Sequence, residues 1–462
     1  MEEKKPMRVF IYTSLIILYI FHQFFLTSYL KFGIGIIALI ALILSLFYAK
    51  GIYLKTGCIF LILGTGLFIY NGFPLYTYLF HFERMLGLLS LYMVLPFINS
   101  VIKVGHYDKS LSTLLQNGAT SLHEFYKRSF VVCNFLTLFL NIAVLPLLHK
   151  TLRITLDQFP LKIQNKYYAQ NLLRAYALSL TWSPMELLIS TSIDITHIKY
   201  YQVFPILLSL MFFMAGIDWF LSSFKYRKVN LTSTVQTKIN QKDSSGGLKR
   251  VYKKVFEMSC MLFVFIILVS LVEHSLKKPF LFSVVLTMIP VTLIWVFLIG
   301  RIKRFCLITL PFWKERVTGL SNFFFMFLCA GFFVDILAES GVLSLIEPIF
   351  TVASKYTFLL YLLIAGFFTL ATLIGFHTLV SMTFLAELIK PLLPTLAPIP
   401  LSIVLIACSV ATIMFSPFNM SVSLLADQLK ANPFKIGSFN FGFALFYMLL
   451  TISVAYFLGT IL

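Results

Sequence analysis

The chain has 462 residues, of which 59% are hydrophobic and only 12% charged, with a net charge of +19 and a mean hydropathy of +0.90. A soluble domain carries about a quarter charged residues, so a soluble globular protein is excluded and an all-α polytopic membrane protein is expected. The Lys and Arg sit mainly in short loops beside apolar runs, where the positive-inside rule places them, so membrane topology rather than a nucleic-acid partner accounts for the charge.

The sequence MEEKKPMR leads into an apolar run at 8–29. This run is too long for a cleaved signal peptide and lacks a small-residue cleavage site. Residues 1–31 therefore read as an extra first span with a cytoplasmic start. Further spans are expected at 32–49, 56–72, 84–104, 167–193, 200–223, 255–273, 279–300, 316–340, 396–428 and 435–460. That makes about 11 transmembrane helices, each close to the ~20 residues that cross a bilayer core. Two more apolar stretches are interrupted near their middle: 128–157 by Asn141 and Pro146, and 356–390 by Gly375, His377, Thr378 and Ser381. The long polar segment 224–254 carries nine Lys/Arg and one acid, which assigns it to the cytoplasmic side. With the N-terminus inside, it lands there only if 128–157 turns back as a re-entrant hairpin. By the same logic 356–390 is a second hairpin, entering from outside, and the C-terminus is extracellular. The six cysteines form no CxxC pair, so neither a disulfide framework nor a metal cluster is indicated.

The chain repeats itself. SPMELLISTSID (183–194) and SPFNMSVSLLAD (416–427) share S-P-x5-S-x3-D without a gap, and ERMLGL (83–88) and ERVTGL (315–320) share E-R-x-x-G-L. The second pair precedes the first by 100 and 101 residues. Two short motifs at nearly equal separation indicate an internal duplication. The predicted topology gives the two copies opposite orientation, an inverted repeat of the kind that builds secondary transporters. Repeat 1 spans 32–223, with three spans, hairpin 128–157, broken helix 167–193 and a final span. The linker is 224–254. Repeat 2 spans 255–462, with three spans, hairpin 356–390, broken helix 396–428 and a final span.

Pro184 and Pro417 lie inside apolar helices, where they remove a backbone hydrogen bond and clash with the preceding turn. In lipid the freed groups must find partners or line a polar cavity. Ser183, Ser190, Thr191 and Ser192 in one copy, and Ser416, Asn419, Ser421 and Ser423 in the other, supply oxygens suited to a Na⁺ ion. The half-helix N-termini suit an anion. The alternative reading of each motif is a packed proline kink with back-bonded hydroxyls. The hairpins add Asn141, His377, Thr378 and Ser381 at the two tips. His377 is a candidate anion or proton carrier, or else a structural hydrogen bond. Acids within spans are costly and usually functional. Glu186, whose counterpart is Asn419, is the first candidate for coupling, while Asp194 and Asp427 either couple or cap their helix ends. Asp218, Asp335, Glu339 and Glu387 are further intramembrane acids, and Arg174 is the basic residue placed to hold an anion.

This arrangement resembles the ion transporter superfamily of secondary carriers, which includes divalent-anion/sodium symporters and citrate carriers. NIAVLP (141–146) is similar to that family's tip motif followed by Leu-Pro, keeping Asn141. GFHTLVS (375–381) sets His377 and Thr378 where the family has Asn-Thr, and WSPME and FSPFN look like its broken helices. The resemblance implies a transporter, not an enzyme, that moves a small anion, an organic acid, with Na⁺ or H⁺ by alternating access. It implies no cofactor other than the coupling ion, and a homodimer as assembly. Competing readings are a cation/proton antiporter or anion exporter of the same superfamily and, from another class, an intramembrane lipid-handling enzyme. The last would need Asp, His or Arg clustered at one membrane face. The Phe-, Ile- and Lys-rich composition suits a bacterial plasma membrane.

Overall fold

The computed structural model describes residues 5–115, 121–227 and 245–461, and these form twenty α-helices with no strand among them. Twelve helical segments are long and apolar enough to cross a bilayer, as a polytopic membrane protein requires. Helices α1 (Lys5–Phe24), α2 (Ser28–Leu46) and α3 (Gly51–Tyr70) lead through a 3-10 segment, Leu75–His81, into α4 (Leu86–Val104). Short α5 (Tyr107–Leu114) precedes a helical hairpin of α6 (Leu122–Leu140) and α7 (Val144–Leu156). An interrupted helix follows, α8 (Leu161–Leu180) and α9 (Leu187–Thr196), and then α10 (Tyr200–Tyr226).

The second half runs α11 (Ser245–Leu276), α12 (Phe280–Leu298), α13 (Ile302–Gly319) and α14 (Ser321–Glu339). After α15 (Glu347–Ser354) come a second hairpin, α16 (Thr357–Ile374) and α17 (Thr378–Ile389), and a second interrupted helix, α18 (Pro398–Phe415) and α19 (Met420–Gln428). Helix α20 (Pro433–Ile461) ends the chain. Each predicted span lies on one helix or on an interrupted pair, with bounds shifted by a few residues, and both interrupted stretches divide into two helices, at Asn141 and at Gly375. Part of the predicted linker, 228–244, lies outside the described residues. Helices α5 and α15 fall between the predicted spans, as does most of α13, and the span placed at 316–340 starts only at Ser321. In α13, Lys303, Arg304, Lys314 and Arg316 flank an uncharged run at 305–313, which is too short to read as a span.

The contacts between the halves are reciprocal. Helix α3 packs on α14 and α4 packs on α12; α8 packs on α20 and α18 packs on α10; α9 packs on α17 and α19 packs on α7. Helices α8 and α18 take the centre, buried on every side over 167–180 and 400–415 respectively. Outward residues such as Phe212, Phe297 and Phe457 are exposed apolar surface, the inverse of a soluble helix and the arrangement lipid requires.

Local chemistry sets the interruptions. Asn141 ends α6 with φ +47° and ψ −135°, a positive-φ turn conformation that cannot continue the helix. Pro146 then falls in the first turn of α7, where its missing N–H has no intrahelical partner to lose. In the second hairpin Gly375 ends α16 at φ +110°, and the His377 ring accepts from the Leu379 amide at 3.3 Å to start α17. Pro417 cannot donate to the Ile413 carbonyl one turn back. The Ser421 hydroxyl donates to that carbonyl instead, at 2.7 Å.

Candidate functional site

Both hairpin tips and both helix breaks meet at one cavity of about 480 Å³. The tips contribute Asn141, Ile142 and Ala143 from the first hairpin and His377, Thr378 and Leu379 from the second. The breaks contribute Met185, Glu186 and Leu187 from one side and Asn419 and Met420 from the other. The walls are Tyr92, Pro96 and Asn99 of α4, Tyr176 of α8, and Phe312, Glu315, Arg316 and Phe323 of α13 and α14. Most ligand sites share this pattern, an apolar and aromatic lining with a few convergent polar groups.

Each polar group is held by its own element. Tyr176 donates to the Asn141 side-chain oxygen at 2.6 Å, which fixes the amide at the tip. Thr378 and Thr412 hydroxyls lie 3.1 Å apart, joining the second tip to α18. The His377 ring stands edge-on to Phe327, with centroids 5.3 Å apart and an interplanar angle of 85°. Asn419 caps α19, its side-chain oxygen accepting from the Ser421 amide at 3.1 Å and the Ser421 hydroxyl at 3.0 Å. Glu186 holds the matching N-cap position of α9. It is 8% exposed, has the Leu188 amide facing its carboxylate, and has no charged partner among the described residues. The equivalent positions both line the cavity and both face amides of their own helix, but Asn419 brings a neutral amide and Glu186 a carboxylate.

Of the residues singled out in the sequence, Asn141, Glu186, His377, Thr378 and Asn419 line the cavity. Ser183, Pro184, Ser190, Ser381, Ser416, Pro417, Ser421 and Ser423 do not. Most of these hydroxyls are committed to backbone carbonyls, some at the breaks and some one turn back in the same helix. Ser190 donates to Glu186 at 3.2 Å, Ser416 to Thr372 at 2.9 Å, Ser423 to Pro417 at 2.8 Å, and Ser381 to His377 at 3.4 Å. Thr191 and Ser192 likewise bond back to Leu187 and Leu188.

Three acid and base expectations resolve differently. Arg174 is not available to an anion: it pairs with Asp218 at 2.6 Å and donates to Asn440 at 2.8 Å, wholly inside the protein. Asp194 accepts from the amides of Phe280 at 2.6 Å and Leu281 at 3.2 Å, so it caps α12. Asp427 is exposed at the end of α19. The sequence showed no cluster of His and acids, yet the fold assembles one. His81, Asp335 and Glu339 bring their ligand atoms within 4.8 Å of one another, because α14 runs back past the 3-10 segment. Arg84 binds one Asp335 oxygen at 3.0 Å and also pairs with Glu387, which tethers α14 and the second hairpin to the start of α4. Beside this clasp lies a second cavity of about 400 Å³, lined by Arg84, Gly87, Asp194, Thr383 and Glu387 among others. The two cavities therefore each carry one copy of the E-R-x-x-G-L motif.

No protein-family model and no curated protein matches the sequence. Solved structures do match the fold. The YdaH transporter of Alcanivorax borkumensis aligns over 88% of this chain and 98% of its own, with a TM-score of 0.54 and 13% identity. MtrF of Neisseria gonorrhoeae, described as illuminating a class of antimetabolite efflux pumps, aligns over 87% and 94%, with a TM-score of 0.57 and 16% identity. At such identities the likeness is one of fold, and the fold is one used by membrane transporters.

Proposed function

We propose that this protein is a secondary active transporter that moves a small organic anion by alternating access, coupled to H⁺ or Na⁺ through Glu186. The observation that carries the reading is the convergence of both tips and both breaks on one cavity about 480 Å³ in volume. A binding site built from two discontinuous helices and two turns is the arrangement expected of transporters with inverted repeats. The three reciprocal helix pairings support the inverted repeat, with residues 32–223 and 255–462 as the two halves. In this reading the two hairpins are re-entrant, the N-terminus is cytoplasmic, the membrane is a bacterial plasma membrane, and the protein is a divergent relative of the ion transporter superfamily, dimeric as that resemblance implies.

Export is the second reading, favoured by the fold shared with MtrF, an efflux protein by its description. The lipid-handling reading gains a polar cluster in His81, Arg84, Asp335, Glu339 and Glu387. However, those groups are paired mainly with one another rather than arrayed around a bound headgroup. A flux screen in proteoliposomes, over carboxylates and with imposed Na⁺ or H⁺ gradients, tests the proposal. Gradient-dependent movement of a carboxylate in either direction is the expected result. Absence of flux for every solute, together with tight binding of lipid headgroups by the folded protein, would reject it.

A further inference from the structure

The two copies of E-R-x-x-G-L are used in opposite ways. In the first, the Arg84 guanidinium binds two carboxylates, Asp335 and Glu387. In the second, Arg316 lines the cavity where the tips and breaks meet, is exposed, and has no ion pair with a described residue. The residue that follows the first motif at the spacing of Asp335 after the second is Lys103. Thus where Arg84 meets an acid, Arg316 meets a base. The Lys103 ammonium stands 3.9 Å from the centroid of Phe312, and the Arg316 guanidinium stands 5.1 Å from the same ring. Lys103 feels the charge of Arg316 directly, with Glu315 and Asp108 as the opposing acids nearby. Arg316 is also the one Lys or Arg among the residues lining this cavity. Two cations gathered at one aromatic ring attract an anion, and guanidinium suits carboxylate geometry.

We propose that Arg316, backed by Lys103, is an anion site at the mouth of the cavity, where it seats a carboxylate of the cargo as Arg84 seats Asp335. The word cargo rests on the transporter reading; the anion site does not. It answers a question left by Arg174, whose charge is committed to Asp218: an organic anion entering this cavity meets Arg316 first.

The test uses the full chain with its six native cysteines replaced and a single Leu320→Cys, which lines the cavity one turn beyond Arg316. Rates of reaction with a sulfonate-bearing and a trimethylammonium-bearing methanethiosulfonate are compared. A charged cleft raises local counter-ion concentration by about tenfold or more. The expected result is a fall of roughly that size in the anionic-to-cationic rate ratio for Arg316→Gln/Lys103→Gln, with Arg316→Lys retaining the parent ratio. An unchanged ratio in a monodisperse double variant would overturn the proposal. Nanodiscs of phosphatidylcholine with and without phosphatidylglycerol separate the two sources of anion. If phosphatidylglycerol abolishes the preference, a lipid phosphate holds the pair and the cargo site is overturned. A preserved preference in a protein that moves no solute would reject the transporter reading and leave the anion site standing.

Discussion

Asp218→Asn tests the claim that Arg174 is structural rather than a ligand for cargo. The substitution keeps the shape of the side chain and an oxygen for the Tyr126 hydroxyl, now 2.8 Å away, but removes the charge opposite Arg174. That pair lies at 4% and 1% side-chain exposure. Removing one partner of such a pair typically costs ~3–5 kcal/mol, because the other charge stays buried. Here the guanidinium keeps Asn440 at 2.8 Å, the Phe439 carbonyl at 3.2 Å and the Phe443 ring at 4.3 Å, so the low end, about 3 kcal/mol, is expected. The assay is the temperature at which the monodisperse gel-filtration peak in detergent is lost, and a drop of several degrees is the expected outcome. Arg174→Met/Asp218→Leu should recover much of the loss, since a well-packed apolar pair often equals a buried ion pair. The reasoning is refuted if Asp218→Asn leaves stability unchanged, within ~0.5 kcal/mol, while raising the KM for an anionic solute.

Other expectations follow from single contacts. Arg84→Gln removes the clasp to Asp335 and Glu387, which should make a cysteine at Thr383, in the second cavity, several-fold more reactive toward an impermeant thiol reagent; an unchanged rate would show that the clasp does not govern access. Gly437→Ala places a Cβ 2.0 Å from the Phe415 carbonyl oxygen at the second break, so the apparent melting temperature should fall sharply, and a neutral result would mean α20 can shift away without cost. Tyr176→Phe frees the Asn141 amide and should cost about 1 kcal/mol of stability and weaken solute binding; unchanged values for both would detach Asn141 from the site. Cysteines placed at 240–246 should be labelled only from the cytoplasmic side, and labelling only from outside would invert the topology.

Much of the architecture is written in local signals. Apolar runs locate the membrane helices, and Pro184, Pro417, Asn141 and Gly375 mark the interruptions, since each disrupts a helix for reasons internal to a few residues. The cavity is less legible. Ser421 and Ser423 look like ligands in the sequence because hydroxyls near a proline are rare oxygens in an apolar span. The same break also creates the carbonyls that absorb them, as Ser421 does for Ile413. Tyr92, Tyr176 and Phe323 give no signal, being aromatic residues in a chain with 22 tyrosines and 50 phenylalanines. The partner of Arg174 is 44 residues away, and nothing local announces it. Helix α13 was hidden because charges at both ends leave it an uncharged run of only 305–313, too short to read as a span, and with it the position of Arg316 at the cavity mouth.

The proposed coupling through Glu186 is open to direct measurement. Proteoliposomes containing the wild-type protein or Glu186→Gln are compared for gradient-driven accumulation of a carboxylate and for its equal-concentration exchange across the membrane. If Glu186 couples transport, Glu186→Gln abolishes accumulation under H⁺ or Na⁺ gradients and retains exchange, because the cavity persists and the coupling group is gone. Accumulation at the wild-type level in Glu186→Gln would contradict it.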